Sequence, residues 1–190
     1  GTFGDPKALL AMALSWHGSD LGAAHLASLL FRAVDEKRHL TPPHRASKRM
    51  SVTATLAGED DYSLFNRLTL CAGRSRAAAV IPPLVRAISQ TPGPGEAFPL
   101  CMPYDRLRGD IVSEPFYGRL MAIASAVERL ACPALAPAME TLLRRERVTG
   151  HEVVIGSSET PRYMLAHLEL SLARAATRCG CSLGREILFR

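Results

Sequence analysis

Aromatic side chains are scarce in this chain, 6% of 190 residues. An interior built on rings is therefore excluded, and leucine and alanine must fill most of the core. Lysine is almost missing: Lys7, Lys37 and Lys48 stand alone among 23 basic residues. Such an arginine bias often follows the base composition of coding DNA, so it argues little for phosphate binding. No run approaches the roughly 20 apolar residues that cross a bilayer, and no charged leader precedes an apolar segment. The expectation is a cytoplasmic protein without membrane contact. None of the five cysteines, Cys71, Cys101, Cys132, Cys179 and Cys181, belongs to a Cys-x-x-Cys pair. Cys179-Gly180-Cys181 has no second half and no histidine at zinc-finger spacing, and a structural metal site needs about four ligands. Free structural thiols are the expectation, with no metal. A dinucleotide fingerprint is missing too: Gly93 and Gly95 are separated by a proline, Phe98 stands where a third glycine belongs, and no strand precedes them.

What is present is ordinary globular composition, 47% hydrophobic and 22% charged, in a chain long enough for one sizeable core. We expect a single helical domain over residues 3–190, with helix pairs near 5–35, 61–90, 115–147 and 160–190. Gly1 in place of Met and the ending at Arg190 read as an excised piece of a longer protein.

Glu114–Arg147 shows the pattern most clearly. Pro115 suits a first helical turn, where a missing N–H is no loss, and Leu120, Ile123, Val127 and Leu130 then recur at helical spacing. Ala131-Cys132-Pro133 ends that helix, because a residue before proline is pushed from helical dihedrals. Leu135, Ala138, Met139, Leu142 and Leu143 give a second helix its stripe. At the start of the chain, Asp5-Pro6 reads as an N-cap followed by proline at the first helical position. Leu9, Leu10, Ala13 and Leu14 follow. Gly18 is placed to close the helix in the left-handed conformation, and Asp20 to cap a helix over Leu21–Asp35 that turns Leu26, Leu29, Leu30 and Val34 inward. Tyr62–Cys71 reads as the next helix, with a turn at Ala72–Arg76. Ala78–Gln90 follows with Ile81, Leu84, Val85 and Ile88, its regular part delayed by Pro82-Pro83. Thr160-Pro161 repeats the cap-plus-proline start before Leu165, Leu168, Leu172, Ala175 and Ala176. Gly180 closes that helix, and Ser182–Arg190 begins a partner. A short strand is weighed only at Met50–Leu56, where Val52, Thr53 and Thr55 are β-branched.

The second helices repeat. Ala27–Val34 aligns with Ile81–Ile88, and Leu135–Leu142 falls in the same register, each step being 54 residues. Stacked pairs bury what one pair cannot. The fold class expected is all-α, a right-handed HEAT-like stack of about three and a half antiparallel helix pairs (an α-solenoid). Residues Leu130–Leu143, LACPALAPAMETLL, resemble the turn and second helix of HEAT/armadillo units. Together with His167–Gly180, HLELSLARAATRCG, they resemble the helical C-terminal region of certain bacterial FAD-dependent oxidoreductases. That resemblance implies an accessory helical part. The flavin in that family is held by a separate glycine-rich α/β region, so no cofactor is expected in this chain and FAD belongs to the parent protein, if anywhere.

Function is legible only by class. His17, Asp20, His25 and His167 lie at turns or on helix faces without a paired nucleophile, and Glu59, Asp60 and Asp61 fit a solvated helix cap better than a metal cluster. No catalytic set is identified. The expectation is a scaffold whose partner is a protein or a neighbouring domain of the same chain. The alternative is nucleic-acid binding through Arg32–Arg49, which holds six basic residues against Asp35 and Glu36. Its candidate anion contacts are Arg38, Arg45, Lys48 and Arg49, with Arg144, Arg145 and Arg147 as a second cluster. Against that alternative, the aligned positions Arg32, Arg86 and Glu140 do not keep one sign, as a phosphate track requires, and few aromatics are available to stack on bases.

Overall fold

A computed structural model describes residues 5–36, 61–91, 115–145 and 160–190. Every regular element among them is helical: α1 (Pro6–Trp16), α2 (Ala23–Asp35), α3 (Asp61–Ser75), α4 (Ile81–Gln90), α5 (Pro115–Leu130), α6 (Ala136–Arg144), α7 (Thr160–Arg178) and α8 (Ser182–Leu188). Single 3-10 turns, Ala78–Val80 and Pro133–Leu135, lead into α4 and α6. None of the helices is long and apolar enough to cross a membrane among the described residues. The strand weighed at Met50–Leu56 lies outside them.

The helices sort into two layers. α1 packs on α3, α3 on α5 and α5 on α7; α2 packs on α4, α4 on α6 and α6 on α8. Between the layers runs one core, from Leu26, Leu30 and Val34 through Phe65, Leu68, Leu84 and Ile88 to Leu120, Ile123, Val127, Met139, Leu142 and Leu172. Each fully buried side chain of this size contributes about 1.5–3 kcal/mol relative to an exposed one.

Of the stripes expected on the second-layer helices, Leu26, Leu30, Val34, Leu84, Ile88, Leu135, Ala138, Met139, Leu142 and Leu143 are buried, and Leu29, Ile81 and Val85 are half-buried. Leu26, Leu30, Ala33 and Val34 of α2 match Val80, Leu84, Ala87 and Ile88, all buried and 54 positions on. From there to α6 the step is 55, not 54: Val80, Leu84, Ala87 and Ile88 correspond to Leu135, Met139, Leu142 and Leu143, again all buried. The same 55-residue step separates the two 3-10 turns. A one-residue slip moves a side chain by 100° around a helix, so the 54-residue alignment sets half-exposed Ile81 and Val85 against the buried Leu135 and Met139.

Two helix boundaries differ from the sequence reading. α2 starts at Ala23, not Leu21, and Asp20 does not cap it. Gly22, at φ 86°, occupies the N-cap position, and the Ser19 hydroxyl accepts from the Leu21 N–H at 3.2 Å. α3 continues through the expected Ala72–Arg76 turn to Ser75, because Gly73 is a contact residue there and not a helix stop. A Cβ at Gly73 would stand 2.5 Å from Ala126 Cα, so α3 and α5 touch backbone to backbone at this point.

Candidate functional surface

Among the described residues, those singled out as acids and bases are not grouped to hold a metal ion, and the basic segment lies largely outside them. Arg38, Arg45, Lys48, Arg49 and Arg147 lie outside the described residues. His17 caps the exposed end of α1. His25 is half-buried in α2, and its Nε2 has no hydrogen-bond partner among the described residues. His167 is exposed far along the chain on α7. Among the described residues no group of three or more His, Cys, Asp or Glu is placed to hold a metal ion. Arg32, at the edge of the basic segment, is taken up by Glu36 at 2.9 Å. Arg144, Leu183, Glu186 and Arg190 line an open recess of about 470 Å³. Arg144 is paired there with Glu140 at 2.6 Å, and among the described residues Leu183 is the one apolar side chain lining it, which is poor chemistry for holding a small molecule.

A recurring left-handed turn marks the edge where each first-layer helix runs into its partner. Asp5 starts α1 as expected, its carboxylate accepting from the Lys7 N–H at 3.0 Å with Pro6 behind it. The other end of α1 closes in a Schellman motif: Gly18 N–H donates to the Ser15 carbonyl at 2.9 Å and Ser19 N–H to that of Leu14 at 3.0 Å. α7 ends the same way, Gly180 N–H donating to Thr177 and Cys181 N–H to Ala176, both at 3.0 Å. α5 uses the simpler left-handed cap, with Ala131 N–H on the Val127 carbonyl at 2.9 Å. The left-handed residue is Gly18, Arg76, Ala131 or Gly180, at φ 80°, 52°, 46° and 89°. In the last three hairpins an extended residue follows: Ala77, Cys132 or Cys181. Two of the four hairpins thus hold a side-chain-bearing residue where glycine is easiest.

Counting back two residues from each left-handed position gives Trp16, Arg74, Arg129 and Arg178, so one arginine stands at the last turn of α3, α5 and α7. Arg74 is half-buried. Its guanidinium carbon sits 3.6 Å from the Trp16 ring centroid, and its Nη1 donates to the Trp16 carbonyl at 3.2 Å. It therefore meets the negative end of α1 and a π face together. Arg129 and Arg178 are exposed. No sequence argument singled out this row, yet its signal was present as an arginine two places before each turn.

Other arginines tie successive pairs. Arg145 donates through Nη1 to the Thr91 carbonyl and through Nη2 to that of Ser89, at 2.5 and 2.6 Å, and so satisfies the end of α4 from the next pair. Arg86 meets Asp35 at 2.6 Å and Arg174 meets Glu128 at 2.9 Å. These half-exposed ion pairs each contribute about 0–1 kcal/mol; they align the stack more than they hold it.

The thiols behave as core atoms. Burial pushes the Cys71 thiol up to about 11, with partial opposition from Arg74, and its Sγ donates to the Met12 carbonyl at 3.6 Å. Cys179 is likewise pushed up to about 11 by burial and by the neighbouring Cys132, and its Sγ donates to the Val127 carbonyl at 3.8 Å. At neutral pH both are protonated and poor nucleophiles. Cys101 lies outside the described residues.

Comparison of the chain with protein-family models, with curated proteins and with solved structures gives no match.

Proposed function

We propose that this chain is a non-catalytic, HEAT-like helical scaffold, a right-handed α-solenoid of antiparallel pairs that packs on a protein or on a neighbouring domain of its own polypeptide in the cytoplasm. The observation that carries the reading is the outer face of α1. That helix buries its small residues Ala8, Ala11 and Ser15 and exposes three of its large ones, Leu9 at 52%, Leu10 at 60% and Trp16 at 46%, and Leu21 in the turn that follows is 67% exposed. An apolar group of this kind at the end of a stack is what a neighbouring body covers. The layer order supports the same reading, since helix pairs added in sequence produce an extended surface.

The resemblance to the helical region of bacterial FAD-dependent oxidoreductases narrows the proposal: the neighbour would be a flavin-holding α/β region, and no residue here is assigned to the flavin. The parent gene tests that step. A Gly-x-Gly-x-x-Gly strand–turn–helix upstream supports it, and its absence leaves a general helical array.

Nucleic-acid binding through Arg38, Arg45, Lys48 and Arg49 is the competing reading. A mobility-shift titration of the chain with duplex DNA and RNA at two salt concentrations separates the two. The scaffold reading expects no tight complex. Salt-sensitive, sub-micromolar binding that disappears when Arg45, Lys48 and Arg49 are neutralised would overturn it.

A further inference from the structure

Cys179, just past the end of α7, lies against the last turn of α5. Its Sγ donates to the Val127 carbonyl at 3.8 Å, the same carbonyl that accepts from Ala131 N–H at 2.9 Å. The backbone N–H of the next residue, Cys132, donates to that sulfur. Two cysteines from successive hairpins are thus in hydrogen-bond contact. The chain reversal after α5 brings this about: Ala131 turns left-handed at φ 46°, and Cys132 follows extended, at φ −94° and ψ 125°. The Cys132 Cβ is two bonds from the nitrogen that holds the Cys179 sulfur. Rotation of one side chain among its staggered positions therefore decides whether the two sulfurs meet. Exposure separates the two thiols: Cys132 is half-buried, whereas Cys179 is 2% exposed and Cys181 5%. Of its neighbouring thiols, Cys132 acts on Cys179 more strongly than Cys181 does. Cys71 provides the contrast. It makes the same kind of contact, to the Met12 carbonyl at 3.6 Å, but the turn that follows α1, residues 17–22, holds no cysteine.

We propose that Cys132 and Cys179 are a site of reversible oxidation by hydrogen peroxide, closing into a disulfide that ties the end of α5 to the end of α7. An accessible thiol with a second thiol behind it is the arrangement of a redox-active pair. The Cys132 thiolate attacks one peroxide oxygen, the O–O bond breaks, and the sulfur gives up two electrons. The departing oxygen leaves as water after taking up the proton that Cys132 had lost. Cys179 then attacks the resulting sulfenic acid. The S–S bond forms, the S–O bond breaks, and the hydroxyl leaves as water with the Cys179 proton. Two thiols and one peroxide give one disulfide and two waters. Burial keeps Cys179 protonated and away from the oxidant, and its contact with Cys132 supplies the proximity that a weak nucleophile needs. The disulfide closes a long loop and so constrains the unfolded chain, which makes the oxidised form the more stable one. In a reducing compartment the pair rests open and closes only transiently.

Peptide mass mapping tests this. The reduced, folded chain is treated with stoichiometric hydrogen peroxide, its remaining thiols are blocked with a maleimide, and it is digested without reductant. The expected product is a Cys132–Cys179 cross-link within one chain, reversed by dithiothreitol, with Cys71 and Cys181 recovered as maleimide adducts. The melting temperature should rise on oxidation and return on reduction. In Cys179→Ala the reaction should stop at a Cys132 sulfenic acid, trapped by dimedone, and in Cys132→Ala the Cys179 thiol should stay reduced. Cys179 belongs to the core; should its variant fail to fold, the parent map and Cys132→Ala, a change at a half-buried residue, decide the matter. Cross-linking of Cys132 to Cys181, to Cys101 or to a second chain, a Cys179–Cys181 bridge, a sulfenic acid that persists at Cys132 in the parent, or no oxidation of Cys132 would each overturn the proposal. None of these outcomes touches the scaffold reading, which stands or falls on the mobility-shift titration.

Discussion

The two layers of this molecule are packed by different rules. In the second layer, large side chains on one stripe do the work: Leu30 and Val34, Leu84 and Ile88, Met139, Leu142 and Leu143 face inward. In the first layer Phe65, Leu68, Leu120, Ile123, Val127 and Leu172 also face the core, and many small residues are buried beside them. Ala8, Ala11 and Ser15 of α1, Ala72 of α3, Ala122, Ala124 and Ala126 of α5 and Ala173, Ala175 and Ala176 of α7 are all buried, with Gly73 at the closest contact. The contrast teaches that one amphipathic hairpin serves two ends. Stripes of large side chains meet between the layers, Gly73 brings α3 and α5 together at Ala126, and Gly184 brings α8 onto Ala173 of α7.

If that division holds, truncation should hurt the second layer most. Leu142→Ala removes a fully buried side chain and should cost about 2–5 kcal/mol, read as a lower denaturant midpoint. An unchanged midpoint would show that Leu142 does not carry the core.

Alkaline pH probes the first layer through its thiols. Cys71 and Cys179 have folded-state values raised to about 11. As pH rises from about 9, the unfolded chain therefore loses these protons before the folded one does, and stability falls over the window from 9 to 11. The loss should reach about 1–3 kcal/mol per thiol. In Cys71→Ala/Cys179→Ala the decline over that window should be shallower than in the parent; equal slopes would mean that the thiols are not desolvated. Half-buried Cys132 should also react with a maleimide before Cys71, Cys179 and Cys181 do, as followed by peptide mass mapping.

A smaller effect is expected at the turns that join the layers. Ala131→Gly and Arg76→Gly relieve a left-handed residue and should each stabilise by about 1 kcal/mol, whereas Gly180→Ala, at φ 89° with open space around it, should cost a similar amount. Thermal melts that place all three on the parent would show the turn geometry to be without strain.

Legibility from sequence divides along the same line. The second-layer stripes, the Asp5-Pro6 start, the Gly18 and Gly180 stops and the Ala131-Cys132-Pro133 break are all local signals, and each appears where periodicity and capping chemistry put it. In the first layer the stripes of α5 (Leu120, Ile123, Val127) and α7 (Leu168, Leu172, Ala175, Ala176) are buried as their spacing predicts, whereas the face of α1 was misplaced. Leu9 and Leu10 look like core residues by type, yet they are exposed, and Ala8, Ala11 and Ser15 are the buried positions of α1. Gly73 looks like a stop, yet it lies inside a helix because Ala126 leaves no room for a side chain. Arg119, fully buried in α5, gives no sequence sign of its burial, since a guanidinium is ordinarily exposed. The arginines before the turns depend on which turns align, and their steps of 55 and 49 residues follow no fixed repeat length. The basic segment Arg38–Arg49 was plain in the sequence and falls outside the described residues.

The central claim, that α3 and α5 pack by close backbone approach, is tested most directly by the stability of Gly73→Ala. Helix propensity alone favours alanine at that position by about 1 kcal/mol. Contact with Ala126, where the added Cβ would lie 2.5 Å from Cα and 3.0 Å from Cβ, should reverse the sign and cost about 1–3 kcal/mol. A denaturant midpoint below the parent's is the predicted result; a midpoint equal to or above it would contradict the packing described for α3 and α5.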